Sequence, residues 1–320
     1  MTAQTGPVLL LDSASLYYRS YFALPETLVS PEGTPVNAVR GFLDTVASLV
    51  TARGSAGVVA CWDVDWRPKW RVALVPSYKT HRVAAPGDGS VDEEVEEVPD
   101  TLAPQVDMLR ELLPLLGIPI VGAAEAEADD VIADLAALVP GPVDIASGDR
   151  DLVQLVDARV TLLYTGGSSA SRGGQPWVAI DPAVAEARFG VTPDRYADLA
   201  VLRGDPSDGL PGAKGIGDKT AAALVRAFGG LTDILAAADD PDSPRPMTPA
   251  VRARLVQARD SLAAAEQVVR LTASPGRSAL PPATGNSDAG SPDAGLELAE
   301  EWGVLTPARR LSAALQAVAE

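Results

Sequence analysis

Acidic residues follow three short apolar runs in this sequence. The runs "PVLLLD", "GVVACWD" and "PVDIASGDRD" end in Asp12, in Asp63, and in the pair Asp149 and Asp151. One aspartate after an apolar run is ordinary turn chemistry, but the same ending on three runs indicates a common site. If the runs are strands of one parallel sheet, their carboxyl ends meet at the edge where open α/β sheets bind ligands. The pattern therefore predicts a cluster of carboxylates at that edge.

Two further motifs add carboxylates. In "EAEADDVIADLA" the apolar spacing predicts a helix, on which Glu127 and Asp130 share one face while Asp129 points elsewhere. The motif can thus reach two metal ions, although acids in a first helical turn also simply complement the helix dipole. "GDPSDG" contributes Asp205 and Asp208, again three residues apart.

Together these acids predict a site for hard divalent cations. The candidate metal ligands are Asp12, Asp63, Glu127, Asp129, Asp130, Asp149, Asp151, Asp205 and Asp208. Oxygen ligands favour Mg²⁺, or Mn²⁺ in its place, and a single histidine and a single cysteine provide no typical zinc site. Two Mg²⁺ ions about 4 Å apart are the usual device for phosphodiester cleavage.

The elements that must position these acids alternate along the chain. The three runs lack polar alternation, as strands buried on both faces do, and "IPIVG" and "VTLLYT" are further strand candidates. Helix-like stretches such as "AVRGFLDTVASLVTAR" and "QVDMLRELLPLLG" lie between them. The alternation predicts an α/β fold with a parallel sheet. The composition changes after residue 190, and "DDPDSPRPMTP" and "SPGRSALPPATGNSDAGSPDAG" are predicted loops.

The stretch "GAKGIGDKT" contains two of the four lysines of the chain, Lys214 and Lys219. It is not a P-loop, because Asp218 separates Gly217 from Lys219, nor a dinucleotide fingerprint, because Thr220 stands where a third small residue is needed. We interpret it as a tight turn between two helices that directs backbone N–H groups at a phosphate. The alternative is an αα-hairpin that needs glycine only to turn.

The other two lysines lie in "WRPKWRVALVPSYKTHR", where basic and aromatic residues alternate. This mixture is typical of a surface that follows a nucleic-acid backbone and stacks bases. The alternative is a solvated amphipathic helix whose aromatic residues, Trp66 and Trp70 above all, pack in the core.

Charge and composition limit the setting of the protein. A net charge of −17 argues against non-specific wrapping of nucleic acid and leaves room for a local basic track. The lone cysteine excludes an internal disulfide. The first residues lack a basic start and a long apolar run, so we expect a soluble cytoplasmic, nucleoid-associated protein without a membrane partner.

At this point the sequence resembles a known family, the 5′ nuclease domain of bacterial DNA polymerase I, within the flap endonuclease superfamily. The resemblance is carried, in the order of the family, by "LLLDSASLYYRSYFALP", "CWDVDWRPKWR", "SYKTHR", "EAEADDVIADLA", "SGDRDLVQL", "GDPSDGLPGAKGIGDKTAAALV" and "LAEEWGVLTPARRLSAAL". It implies a PIN-like core over residues 1–190 with a helical arch at about 67–105. Residues 191–320 would hold a helix–three-turn–helix DNA-binding region and C-terminal helices.

The resemblance implies a stand-alone, monomeric, metal-dependent 5′-3′ exonuclease and flap endonuclease. It would cut DNA, and also RNA primers annealed to DNA, near 5′ flaps, nicks and gaps in replication and repair. A K⁺ ion in the helix–three-turn–helix is implied too. Two alternatives remain open, a non-catalytic junction-binding protein and a PIN-type ribonuclease, although the acids argue against the first and the glycine turn against the second.

Residue roles follow from the same resemblance. Lys79 and Arg82 would contact the scissile phosphate. Asp12, Asp63, Glu127 and Asp129 would serve mostly the first metal, Asp149, Asp151 and Asp208 mostly the second, and Asp130 and Asp205 would act through water. The implied DNA-binding residues are Arg19, Tyr21, Lys69, Arg71, Gly212, Lys214, Gly215, Gly217, Lys219 and Thr220.

Two departures from the family pattern stand out. Gly209 replaces the Asn that usually follows the second aspartate of "GDPSDG", which leaves the geometry around Asp208 open. The acidic run "VDEEVEEV" lies in the predicted arch, and we expect its acidic face to point outward, or the arch to be disordered without DNA. His81 is assigned no role.

Overall fold

The computed structural model describes residues 6–84, 96–167, 176–274, 276–279 and 292–319. Its sheet has the order β3-β2-β1-β4-β5-β6, parallel throughout except that β6 runs antiparallel to β5. The mostly parallel sheet predicted from the sequence is confirmed, and each predicted strand is present. The strands are β1 (Val8–Asp12), β2 (Gly57–Cys61), β3 (Ile120–Val121), β4 (Val143–Ser147), β5 (Val160–Tyr164) and β6 (Val178–Ile180).

Helices flank both faces of the sheet, and the helical stretches predicted from apolar spacing are confirmed. The helices are α1 (Ser13–Ala23), α2 (Asn37–Arg53), α3 (Lys69–Leu74), α4 (Ala103–Leu115), α5 (Ala128–Leu138), α6 (Pro182–Phe189), α7 (Tyr196–Arg203), α8 (Asp218–Phe228), α9 (Leu231–Asp239), α10 (Pro249–Val269), α11 (Pro292–Glu301) and α12 (Leu305–Ala319). Two short 3₁₀ turns carry predicted site residues. Thr80–Arg82 directly follows Lys79, and Asp151–Leu155 comes shortly after β4.

The central strands are buried on both sides, which explains their uninterrupted apolar sequences. In β1, Leu10 packs into one core with α5 and the helices after residue 190, whereas Leu9 and Leu11 face the opposite core. That second core is built from α1, α2, α4 and α12. The sheet thus holds the carboxyl end of β1 rigidly between two layers.

The last helices return to the first half of the chain. Ala308 and Leu311 of α12 are completely buried, and they belong to the same core as Phe42 and Leu43 of α2. Consequently α11 and α12 pack on the nuclease-like half, although they follow the predicted DNA-binding region in sequence.

The region after residue 190 is helical. Helix α7 is followed by the glycine-rich turn and then by α8, while α10 packs against α7 and α9. Within the described ranges no single helix is long and apolar enough to cross a bilayer. Only α8 and α9 taken together, bent by 86° at their junction, reach such a length and composition.

The sheet order creates a crevice between β1 and β4. From β1 the chain proceeds outward to β2 and β3, then crosses back to β4 on the other side of β1. Neighbouring strands whose connections leave in opposite directions open a cleft at their carboxyl ends, the usual ligand site of such sheets. The predicted acidic motifs all lie around this point.

Candidate active site

An open cleft of about 730 Å³ lies at this crevice, and a small cavity of about 20 Å³ lies beside it. The larger cleft is lined by the acids Asp12, Asp63, Glu127, Asp129, Asp149 and Asp205. The small cavity adds Asp151 and Asp208. All the predicted metal ligands except Asp130 therefore line one connected region.

Local backbone interactions hold the strand-end acids in place. Asp12 caps α1, where its carboxylate accepts a hydrogen bond from Ser15 N (3.1 Å) and another from the Ser147 hydroxyl at the end of β4. Asp63 Oδ1 accepts from Ala128 N at 2.7 Å. The ends of β1, β2 and β4 and the start of α5 are thereby tied together.

Burial and mutual repulsion raise the pKa values of these acids. Burial, reinforced by the charges of Asp63 and Asp149, raises the pKa of Asp12 to about 7. The pKa of Asp129 rises well above its ordinary value because of burial and then of Asp149 and Asp12. Asp151 behaves in the same way, through burial and Asp149. The cluster therefore favours any cation that neutralises it.

Positive side chains already reach into the cleft. The Lys79 ammonium contacts the Glu127 carboxylate, which also accepts a hydrogen bond from Tyr78 Oη at 2.8 Å. Arg82 Nη2 pairs with Asp208 Oδ1 at 3.0 Å. Lys79 has a left-handed backbone (φ 49°), a conformation that non-glycine residues rarely adopt and that often marks a functional position.

Within the part of the chain that the structure describes, no three His, Cys, Asp or Glu side chains are arranged to hold a metal ion. Two of the acids, Glu127 and Asp208, are instead paired with Lys79 and Arg82. The donor set itself nevertheless fits a hard divalent cation, since it consists of carboxylate oxygens and the pKa values of Asp12 and Asp129 are raised mainly by burial.

A short loop, residues 205–210, joins the acids to the basic segment. Lys79 N donates to Asp208 O at 2.9 Å, Ser77 Oγ donates to Gly209 O at 2.7 Å, and Arg82 Nη2 donates to Ser207 O at 2.9 Å. We call this loop the acid loop. It leads directly into the glycine-rich turn, so it connects that turn to the cleft.

Most of the predicted DNA-binding residues are accessible. Lys69 lies exposed at the start of α3, and Thr220 is half-buried in the first turn of α8. The guanidinium of Arg19, which is half-buried, donates to Gly167 O at 2.7 Å. The exposed residues of the glycine-rich turn are Lys214, Gly215, Gly217 and Lys219.

Arg71, a predicted DNA contact, is buried in this structure. It is only 2% exposed, and its guanidinium lies 3.0 Å from both Glu127 Oε1 and Asp130 Oδ1. Asp130 in turn accepts from Glu127 N at 3.1 Å, so it is an anchor within the protein and does not line the cleft. These opposite charges are buried together, and the predicted roles, a DNA contact for Arg71 and a metal role through water for Asp130, stay predictions.

Two other predicted DNA contacts, Tyr21 and Gly212, are also buried. Tyr21 is buried, and its hydroxyl is engaged with Thr101 (2.8 Å) and Glu26 (3.2 Å). Gly212 is buried against the backbone of Arg203 and Gly204, where a Cβ atom would lie 2.4 Å from Gly204 N. Gly212 therefore permits a close backbone approach, which is a packing role.

Sequence reasoning missed several residues of the cleft. Tyr18 and Phe22, four apart on α1, line its mouth, and Phe22 is 74% exposed. Their helical spacing was a usable signal. His81, for which we assigned no role, also lines the cleft.

We expected the acidic run of the predicted arch to point outward, and its described end does not. Residues 85–95, which include most of this run, lie outside the described residues. At its described end Glu96 and Glu97 line the cleft instead of pointing outward. An antiparallel bridge between Val83 and Glu96 joins this segment to the residues that follow Arg82.

Two protein-family models match this chain, and together they cover residues 7–276. Residues 7–190 match the model of a 5′-3′ exonuclease N-terminal resolvase-like domain, and residues 191–276 match a 5′-3′ exonuclease C-terminal SAM fold. A 5′-3′ exonuclease of Streptomyces coelicolor is 50% identical over 315 residues, covering 97% of this chain and 100% of that protein.

Two further relatives extend the comparison. A 5′-3′ exonuclease of Mycobacterium tuberculosis is 44% identical, covering 97% of this chain and 98% of the relative. DNA polymerase I of Mycobacterium bovis is 35% identical over 71% of this chain, which corresponds to 24% of the polymerase.

Solved structures share the fold at low identity. T5 5′-exonuclease with bound divalent metal ions (zinc) superposes with a TM-score of 0.61 at 17% identity, covering 98% of this chain and 100% of that one. The catalytic core of Rad2 in complex with a DNA substrate superposes with a TM-score of 0.57 at 16% identity, covering 98% and 92%.

Proposed function

Because the chain belongs to the 5′-3′ exonuclease family, we propose that it is a structure-specific 5′ nuclease that hydrolyses DNA phosphodiester bonds near single-strand/duplex junctions. One observation carries the proposal. The acid loop joins the carboxylate cleft to the exposed turn bearing Lys214 and Lys219. A duplex gripped at that turn would therefore lie at a fixed distance from the cleft.

We propose that Mg²⁺ or Mn²⁺ ions bind the carboxylates that line the cleft. Such ions supply an activated water and stabilise the leaving oxygen in phosphodiester hydrolysis. The chain's own part is to hold Asp12 and Asp63 at strand ends, Asp129 on the first turn of α5, Asp149 and Asp151 directly after β4, and Asp208 in the acid loop. The raised pKa of Asp12 supports this assignment, because a group that resists ionising alone is stabilised by a cation.

Lys79 and Arg82 are proposed to bind the scissile phosphate. Both side chains line the cleft, where each forms an ion pair with a carboxylate. A phosphate that enters the cleft can therefore accept hydrogen bonds from their N–H groups in place of those carboxylates. Fixed positive charge beside a phosphate stabilises the charge that develops during cleavage. Lys79 combines a rare left-handed backbone with a position on the wall of the cleft.

The duplex grip is assigned to the glycine-rich turn and the start of α8. Lys214 and Lys219 are exposed there, and the helix N-terminus offers backbone N–H groups to a backbone phosphate. A K⁺ ion at the turn carbonyls belongs to this proposal. So do 5′ flaps, nicks, gaps and RNA primers on DNA as substrates, a monomeric state, and a cytoplasmic role on chromosomal DNA in primer removal and repair.

Cleavage of a labelled 5′-flap duplex by the purified protein tests the proposal. We expect cleavage with Mg²⁺ or Mn²⁺, none with chelator, and almost none for Asp149→Asn with flap binding retained. An all-RNA flap serves as the comparison substrate. Absence of cleavage with both metals at every salt concentration would leave a binding protein, and a preference for the RNA flap would favour a ribonuclease.

A further inference from the structure

The chain that leaves α10 crosses back over the acid-bearing elements. We call residues 269–274 and 276–278 the strap. Gln154 fastens its beginning, because Gln154 Nε2 donates to Val269 O at 3.0 Å and Leu271 N donates to Gln154 Oε1 at 2.8 Å. Gln154 belongs to the 3₁₀ turn that starts with the acid Asp151. The strap is thereby attached to the segment that follows β4.

The end of the strap is fastened to α5. Arg277 makes a bidentate pair with Asp134, with Nε at 2.8 Å from Oδ2 and Nη2 at 2.8 Å from Oδ1. Ser274 N donates to Asp134 Oδ1 at 2.7 Å. The Asp134 side chain is only 2% exposed. Burial acts to raise the pKa of Asp134, but the hydrogen bonds from Arg277 and Ser274 outweigh it and hold the pKa below its ordinary value.

Arg277 also reaches the first turn of α5. Its Nη2 donates to the Asp130 carbonyl at 3.0 Å, and its Nη1 lies 3.6 Å from Asp130 Oδ1. Asp130 accepts from Glu127 N at 3.1 Å, and Asp129 is its chain neighbour. One guanidinium outside the cleft therefore contacts the turn that carries Glu127 and Asp129 into it.

We propose that Arg277 is a positioning residue for divalent-metal binding. It fixes the first turn of α5 to the strap, and the strap fixes the Asp151 turn through Gln154. The distance between the acids at the start of α5 and Asp151 is thereby held constant. The inference rests on the proposed function for the presence of the ions. Arg277 lies just beyond residue 276, where the family match ends, and beyond the DNA-gripping turn.

Calorimetric titration of the DNA-free protein with Mn²⁺ tests this role directly. Loss of a partner that orients metal ligands commonly weakens metal binding about 10–100-fold, and we expect that range for Arg277→Ala. Arg277→Lys should fall between Arg277→Ala and wild type, because one ammonium cannot serve Asp134 and the Asp130 carbonyl together. DNA binding in chelator should be unchanged for both variants.

A matched control exists near the amino-terminal end of β4, whereas the acids lie at the carboxyl ends of the strands. Arg53 makes a bidentate pair with Asp144, through Nε (2.7 Å) and Nη2 (3.0 Å), and the Asp144 side chain is also 2% exposed. Arg53→Ala removes a comparable ion pair far from the acids. It should lower the melting temperature without moving the Mn²⁺ midpoint.

Equal Mn²⁺ midpoints for Arg277→Ala and wild type would overturn the inference, as would equal shifts for Arg277→Ala and Arg53→Ala. If Arg277→Ala does not fold, Asp134→Asn keeps the shape of the contact and takes its place, with the same expectation. If the wild-type protein binds Mn²⁺ and cuts DNA, but the variants have the same Mn²⁺ titration midpoint as wild type, only this inference is refuted. A wild-type protein that neither binds nor cuts refutes the proposed function as well.

Discussion

Gly209 packs against Ser77 so closely that a Cβ atom at position 209 would lie 2.0 Å from the Ser77 carbonyl oxygen. Gly209 also has a left-handed backbone, with φ at +72°. The contact lets the acid loop dock directly on the segment that carries Lys79 and Arg82. The glycine that departs from the family pattern is thus what permits this close fit.

Gly209→Asn should therefore damage the fit even though Asn tolerates a left-handed backbone. We expect a loss of about 1–3 kcal/mol in the free energy of unfolding, the usual cost of overpacking, together with slower cleavage. Gly33→Asn is the control, because Gly33 has φ +89° and open space around it. Urea unfolding of both variants decides the matter; equal stabilities would contradict the role of the close contact.

Lys79→Met should have opposite effects on catalysis and on metal binding. Removing the ammonium from the phosphate site should slow cleavage by about 10²–10³-fold. It also removes a cation that competes for Glu127, so the Mn²⁺ midpoint should fall, which means tighter binding. Lys69→Met, at an exposed lysine on α3, should change neither quantity by a comparable amount. Weaker Mn²⁺ binding by Lys79→Met would contradict the competition.

Arg71→Met should destabilise the protein without weakening metal-free DNA binding. The substitution leaves buried Glu127 and Asp130 without one of their cations, and breaking such a pair costs about 3 kcal/mol. Lys69→Ala should do the reverse, lowering DNA affinity at constant stability. Melting temperatures and fluorescence-anisotropy titrations in chelator measure both. A stable Arg71→Met that has lost DNA affinity would restore Arg71 to the DNA surface.

Replacing Lys214 and Lys219 together by Ala should weaken duplex binding and flatten its salt dependence. Each phosphate contact contributes about 0.9 to the slope of log affinity against log salt, so the slope should fall by about 2. The double variant Arg309→Ala/Arg310→Ala on α12 carries the same charge change away from the turn. Identical slopes for the two double variants would argue against a grip at the glycine-rich turn.

The metal-free protein should lose stability as pH rises from about 4 to about 7. Asp12 has a folded pKa of about 7, against an ordinary value of 3.8. In that range the folded state therefore binds a proton that the unfolded state has released, and each step upward favours unfolding. Asp12→Asn should make the profile less steep, because Asp129 and Asp151 still contribute in the same direction, and Mn²⁺ should reverse it. Thermal melts across this range with chelator provide the measurement; a profile that rises in wild type would refute the assignment.

The strands and the acids at their ends were predictable because both signals are local: an apolar run followed by a carboxylate. The burial of Arg71 was not, because a basic residue among aromatics looks the same whether it faces phosphate or a buried Glu127. The pair of Arg277 with Asp134 joins residues 143 apart in sequence, and Arg277 belongs to none of the motifs. Such long-range partners are decided by the packing of whole elements, which a single sequence does not reveal.

The packing of α12 on α2 has a consequence for how this protein is made. During synthesis on a ribosome, the core around Phe42 and Leu43 stays open until α12 has been produced, because Ala308 and Leu311 fill it. The acid-bearing strands rest on that core, and by then the turn with Lys214 and Lys219 has already emerged. The strands that carry the acids thus gain their complete core only after the glycine-rich turn has emerged.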